Sequence, residues 1–198
     1  MENGNLMAQF DRELIEILCP VPELEVGLGI IETGYIAGAL SGLCLVGFEL
    51  LGKVSLEALD DAAVIALARS SRILGELGQD LVGYVPSIPP LEEIEVTTFS
   101  GRLHEFSAEK VISTFGPSDT VTLVSEQLIP LVRDCCSYYL GRCSNLSDKA
   151  FSRMLERLMM DISEVEDLLA TKAVANEHGG NFGQKYSDIL LAINLKQR

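Results

Sequence analysis

The most constraining feature of the sequence is a long stretch of low charge. Between residues 26 and 48 the only charged side chain is Glu32, and residues 33–48 carry no charge at all. This uncharged stretch is shorter than the roughly 20 apolar residues that a bilayer-spanning helix needs. We therefore predict a helix that is buried in the core of the protein.

Three glycines recur at regular intervals along this predicted helix. Gly34, Gly38 and Gly42 are four residues apart, so they lie on one face of the helix, about one turn from each other. Each glycine costs the helix of order 1 kcal/mol relative to alanine, which the close approach of a second backbone would offset. We predict that this glycine stripe serves helix packing or self-association.

The composition favours helices packed on helices. Hydrophobic residues make up 47% of the 198 residues, but aromatic residues only 6%, with no Trp. Aliphatic side chains must therefore fill the core, as is typical of helical bundles. We predict an all-α fold of six or seven helices in one compact domain. Its regions are an N-terminal helical region (residues 1–85), a proline-rich connector (residues 86–106) and a C-terminal helical region (residues 107–198).

Apolar residues that recur every three or four positions place the helices. The predicted helices are residues 5–18, 26–48, 56–82, 108–115, 118–140, 147–170 and 186–193. Ser55 and Ser147 are predicted N-caps, and Pro130 is expected to kink its helix about one turn earlier. Residues 93–106 form either a short β-hairpin or an extended loop, because apolar and polar residues alternate there.

Helix 147–170 has the cleanest periodicity in the chain. Its apolar line is Phe151, Leu155, Leu158, Ile162, Val165 and Leu169. The spacing of four, three, four, three and four predicts that this line faces the bundle core. Four carboxylates, Glu156, Asp161, Glu164 and Asp167, largely avoid it and are predicted to form an acidic face that binds a partner protein.

The net charge restricts the classes of partner. Twenty-nine acidic and fifteen basic residues give a formal charge of −14, which repels nucleic-acid phosphates and anionic lipid headgroups. We therefore expect neither nucleic acid nor a membrane as the usual partner. A basic protein would complement the predicted acidic face.

The sequence carries no recognisable catalytic motif. The five cysteines are Cys19, Cys44, Cys135, Cys136 and Cys143. Their odd number and wide scatter indicate reduced thiols. The first residues show no basic region ahead of an apolar stretch, so we expect a cytoplasmic location, cytosolic or nuclear. Adjacent cysteines lack the spacing of a zinc site, so we expect no metal and no cofactor. A nucleophilic cysteine would need a base, and His104 and His178 are the only histidines in the chain.

We therefore predict a non-enzymatic helical adaptor or scaffold that acts through protein–protein interaction and self-associates. One alternative is a membrane-active module that inserts residues 26–48 as an oligomer, in contact through its glycine stripe. A second alternative is a small cysteine-dependent enzyme, because active sites assemble from residues that are distant in sequence.

Overall fold

The structure, a computed structural model, describes residues 27–84, 108–144, 146–171 and 174. Within these ranges all regular structure is helical and no strand occurs, so the predicted all-α character is confirmed there. The elements are α1 Ile30–Ser55, α2 Asp61–Val82, α3 Ala108–Leu123, a π-helical turn Val124–Leu128, α4 Ile129–Leu140 and α5 Lys149–Leu169.

These elements form four helical segments in the described part of the chain, because α3, the π-helical turn and α4 follow one another directly. The predicted total of six or seven helices is therefore not established. Helices 5–18 and 186–193 and the alternative hairpin at 93–106 were predicted for residues that lie outside the described ranges.

Helices α1 and α2 form an antiparallel hairpin whose backbones approach closely. The Ser41 hydroxyl donates to the Gly78 carbonyl at 2.8 Å, and the Ser71 hydroxyl donates to the Phe48 carbonyl at 2.8 Å. A Cβ on Gly78 would lie only 2.8 Å from Leu45 Cγ, which is shorter than van der Waals contact. A glycine on α2, together with small polar side chains, therefore permits this close crossing.

The turn between α1 and α2 differs from the prediction. Helix α1 continues to Ser55, whose hydroxyl donates to the Gly52 carbonyl at 2.7 Å and does not cap α2. Asp60 caps α2 instead, because its carboxylate accepts the backbone N–H groups of Ala62 and Ala63. Ser55 was thus wrong as the predicted N-cap.

This shift of the helix start has a consequence for two leucines. Leu56 and Leu59 fall within the predicted helix 56–82, but they precede α2 and are 86% and 95% exposed. They lie in the turn, so the hairpin presents two leucine side chains to solvent at this end.

The third helical segment is interrupted at two places. Gly116 has a φ of 83°, which glycine adopts at little cost, and Pro117 follows it. Pro130 lacks the N–H that would continue the hydrogen-bond ladder, and the π-helical turn Val124–Leu128 ends two residues before it. Both the break at Gly116 and the irregularity about one turn before Pro130 match the sequence-based prediction.

Helix α5 packs antiparallel to α2 and also contacts α4. All six residues of its predicted apolar line are buried. The guanidinium of Arg69 on α2 pairs with Glu164, and that of Arg133 on α4 pairs with Glu166 at 2.6 Å. Helix α5 is therefore held on one side by apolar packing and at its flanks by ion pairs with two other helices.

The start of α5 is fixed by a buried carboxylate. Helix α5 begins at Lys149, so Asp148 occupies the N-cap position that was wrongly predicted for Ser147. The Asp148 side chain accepts the N–H groups of Leu28 and Ser144, both at 2.8 Å. Burial opposes its ionisation, but these bonds and one from the Ser147 hydroxyl outweigh it and lower the pKa of Asp148. This carboxylate joins the chain before α1 to the loop before α5.

Candidate interaction surface on helix α5

The side of α5 opposite its buried line is open to solvent. Positions on this side recur at intervals of four, three, four, three and four residues, the same spacing as the buried line, and every one is exposed. We call this line the outer seam: Lys149, Arg153, Glu156, Met160, Ser163 and Asp167. At its centre the large apolar side chain of Met160 is 74% exposed.

The charges of α5 are sorted along the helix axis. The first half holds three basic side chains and one acidic one, for a net charge of +2: Lys149, Arg153, Glu156 and Arg157. The second half holds four carboxylates and no base, for a net charge of −4: Asp161, Glu164, Glu166 and Asp167. The basic half and the acidic half thus lie end to end on one helix.

This order of charges along α5 is opposite to the order that the helix dipole favours. Anions are stabilised near the N-terminus and cations near the C-terminus, each by about 0.3–1 kcal/mol. Helix α5 has no acidic residue in its first turn and no basic residue in its last turn. Its charge order therefore reduces the stability of the helix.

The four predicted acidic residues have different surroundings. Glu156 and Asp167 are exposed and make no ion pair within the described part of the chain. Glu164 pairs with Arg69, and the half-buried Asp161 lies at the flank of the helix, 3.7 Å from the guanidinium of Arg157. The structure thus brings Glu156, Glu164 and Asp167 to the outer side of α5 and leaves Asp161 beside it.

Sequence reasoning missed the basic and apolar members of the outer seam. Lys149, Arg153 and Met160 have the same spacing relative to Glu156 and Asp167 as the buried residues have among themselves. That spacing was visible in the sequence. The predicted acidic face is therefore one end of a bipolar line, whose other end is basic.

A groove between α2 and α5 runs beside the basic half. Its volume is about 540 Å³. Its lining combines apolar side chains with a charged rim: Leu77, Asp80, Leu81, Tyr84, Ala150, Arg153, Met154, Arg157 and Leu158. Across this rim the guanidinium of Arg157 lies 3.9 Å from the Asp80 carboxylate. Arg153 and Arg157 therefore face both the groove and solvent.

The glycine stripe lies inside the fold. Gly34, Gly38 and Gly42 are all buried in α1, so a second chain could reach them only if the bundle opened. The one candidate membrane span among the described residues, Glu32–Ser55, belongs to the same helix, and its apolar window is 82% buried. Insertion of this segment would likewise require α1 to leave the core. The roles predicted for the stripe stay predictions.

Three of the four described cysteines, Cys44, Cys136 and Cys143, have thiols with a raised pKa. Burial raises the pKa of the Cys44 thiol to about 12 and also raises that of Cys136. Burial and then the nearby Asp148 raise the pKa of Cys143 to about 11. A nucleophilic cysteine needs a lowered pKa, because the thiolate is the reactive form. These thiols therefore stay protonated near neutral pH.

No group of three or more His, Cys, Asp or Glu side chains is arranged to hold a metal ion within the described ranges. Cys19, His104 and His178 lie outside those ranges, so the alternative of a cysteine–histidine pair is untested.

The chain matches no protein-family model, no curated protein and no solved structure. Of the surfaces described above, the outer seam is the one at which exposure, regular spacing and sorted charge occur together.

Proposed function

We propose that this protein is a non-enzymatic helical adaptor that binds a protein partner through the outer seam of α5. The observation that carries the proposal is the exposed charge order of that helix, which runs against the helix dipole. Local rules that stabilise a fold are most often broken where a residue serves another purpose. The charges of the outer seam are placed where they do not help the folded chain.

Charge also indicates which kind of partner fits. The acidic half of α5 carries four carboxylates, and the whole chain has a formal charge of −14. A basic protein surface complements both, whereas nucleic acid and anionic membranes are repelled. Complementary charge of this kind mainly accelerates encounter and selects the partner. Binding is therefore expected to weaken as salt rises, because salt screens exposed charges.

The apolar contribution to such an interface is small. Met160 is the only large apolar side chain of the outer seam, and interface energy is commonly concentrated in a few buried anchors. The groove between α2 and α5 adjoins the basic half and offers further apolar surface to a partner that extends beyond the seam. We expect reversible association rather than a permanent complex, because obligate interfaces are larger and more hydrophobic.

The proposal is tested by cross-linking and co-purification of the full chain from its own source. The test variant changes Asp167 to lysine, which leaves the pair between Glu164 and Arg69 intact. The matched control changes Glu49 to lysine, because Glu49 is exposed outside α5 and makes no ion pair with described residues. Thermal unfolding establishes that each variant is folded.

The expected result is a protein that the parent and the control both retain and that the α5 variant loses. The parent should also release that protein as the salt concentration rises. Equal retention by the α5 variant would show that the partner binds elsewhere, and the proposal would then be wrong.

A further inference from the structure

We propose that the outer seam binds a second copy of the same chain, with the two α5 helices antiparallel. This inference rests on the proposed function and names a partner for the same surface. An antiparallel pair places the basic half of each helix against the acidic half of the other. The basic surface that the acidic half requires is thus present on the chain itself.

The spacing of the seam fits this arrangement. Arg153, Met160 and Asp167 are seven residues apart, and all three are exposed. Residues at this spacing drift by only about 20° per heptad around a straight helix. Arg153 and Asp167 therefore lie on nearly the same line, each about 10 Å along the axis from Met160.

A two-fold axis near Met160 brings Arg153 of one copy opposite Asp167 of the other. Because a two-fold interface repeats each contact, both ends of the pair gain the same complementary contact. A parallel alignment would place like charges together, so the charge order selects the antiparallel pair.

Three features limit the strength of this pair. Each copy carries a formal charge of −14, so the two chains repel each other overall. Only Met160 supplies a large apolar contact at the centre, and exposed ion pairs contribute little individually. Glu156 is the one carboxylate in the basic half, so it faces the acidic half of the second copy and opposes binding. The association is expected to be weak and salt-dependent, and Glu156→Gln should strengthen it.

The test uses charge exchange in the full chain. The variants are Arg153→Glu, Asp167→Arg and the double variant that carries both changes. Sedimentation equilibrium measures the dimer dissociation constant of each at low and moderate salt. Thermal unfolding at low protein concentration establishes that each variant is folded.

The parent should dimerise at moderate salt, where screening reduces the overall repulsion between two chains of charge −14. Each single reversal should weaken the dimer about tenfold, because two symmetry-related pairs change from attraction to repulsion. An equimolar mixture of the two single variants should recover binding, since both cross pairs are again opposite in charge. The double variant should recover it as a homodimer.

A parent that stays monomeric at moderate salt would overturn the inference. So would single variants that bind like the parent, or a double variant that fails to recover. These outcomes are separate from the test of the adaptor. If the chain is monomeric but its outer seam still captures a different protein, only self-association is refuted. If the chain forms the dimer that responds to charge exchange but captures no other protein, only the wider adaptor role is refuted.

Discussion

Replacing Asp167 with lysine is expected to stabilise the folded chain. Asp167 lies in the last turn of α5, which contains no basic residue. It is exposed and makes no ion pair with described residues. The partial negative charge at the end of a helix disfavours an anion there and favours a cation. The substitution therefore removes an unfavourable interaction and adds a favourable one.

Three contributions set the magnitude of this effect. The interaction of a charge with the helix end contributes about 0.3–1 kcal/mol. Glu164, one turn earlier, changes from a like-charge neighbour into an oppositely charged one, which contributes about 0.2–0.5 kcal/mol. Lysine also has a higher helix propensity than aspartate by a few tenths of a kcal/mol. We expect a gain of about 1 kcal/mol, which corresponds to a rise of about 2–4 °C in Tm.

The assay is thermal unfolding at low protein concentration and moderate salt, where association contributes little. Asp167→Asn is the matched control, because it removes the negative charge without adding a cation, and it should give about half of the gain. A lower Tm for Asp167→Lys would contradict the argument. It would mean that a cation within the folded chain holds this carboxylate, so that the outer seam is not open to a partner.

Three further predictions concern the fold and the thiols. Asp148→Ala should lower the unfolding free energy by about 3 kcal/mol in denaturant titrations, because two N–H groups lose a charged acceptor. The folded-state pKa of Asp148 is lowered. Its contribution to stability is therefore present above the unfolded-state pKa of about 3.9 and is lost as pH falls through the folded-state pKa. Identical acid unfolding of the parent and the Asp148→Ala variant would contradict this contribution. Gly78→Ala should lower Tm, because the added Cβ would overlap a neighbouring side chain. Gly141→Ala should raise Tm by reducing the entropy of the unfolded state, since the nearest atom to its added Cβ would be 3.5 Å away. Equal shifts in Tm would exclude a close crossing of α1 and α2. With a thiol reagent near neutral pH, Cys44 should react only on unfolding and Cys143 much sooner, because Cys44 is buried and Cys143 partly exposed. Rapid labelling of folded Cys44 would contradict its burial.

The sequence predicts best the helices that face the core on one side and solvent on the other. Helix α5 meets the core on one side and solvent on the other, so its apolar line was visible at helical spacing, from Phe151 to Leu169. Helix α1 carries little charge on any side, so the sequence indicated burial but not orientation. The residues that pack against α1 come from a different part of the chain. For example, the Ser41 hydroxyl on α1 donates to the Gly78 carbonyl on α2.

The helix ends were harder to predict, because several residues can serve as caps. Ser55 and Asp60 are both suitable N-cap residues, and Leu56 and Leu59 match the spacing of the helix that follows. The choice depends on where the hairpin turns, and contacts between the two helices fix that point. The hydrogen bond from Ser71 to Phe48 is one such contact, and no local pattern reveals it.

The candidate site was predicted only partly, for a similar reason. The exposed carboxylates were recognised from their position opposite the apolar line. The pairs of Arg69 with Glu164 and of Arg133 with Glu166 join residues that are 95 and 33 positions apart. Local spacing cannot show such pairs, so the sequence did not distinguish carboxylates with an internal partner from those without one.

That distinction is central to the role of α5. Arginines from α2 and α4 partly neutralise Glu164 and Glu166, so the fold itself compensates some of the unfavourable charge at the C-terminal end. Lys149, Arg153 and Asp167 have no such compensation within the described ranges of the chain. Arg153 and Asp167 are the two that an antiparallel second copy matches, and the same orientation brings the positive end of each helix dipole beside the negative end of the other. The charge order that destabilises α5 in a single chain therefore becomes favourable when two α5 helices pair. The destabilisation of the single chain is what a binding surface would show when its partner is absent.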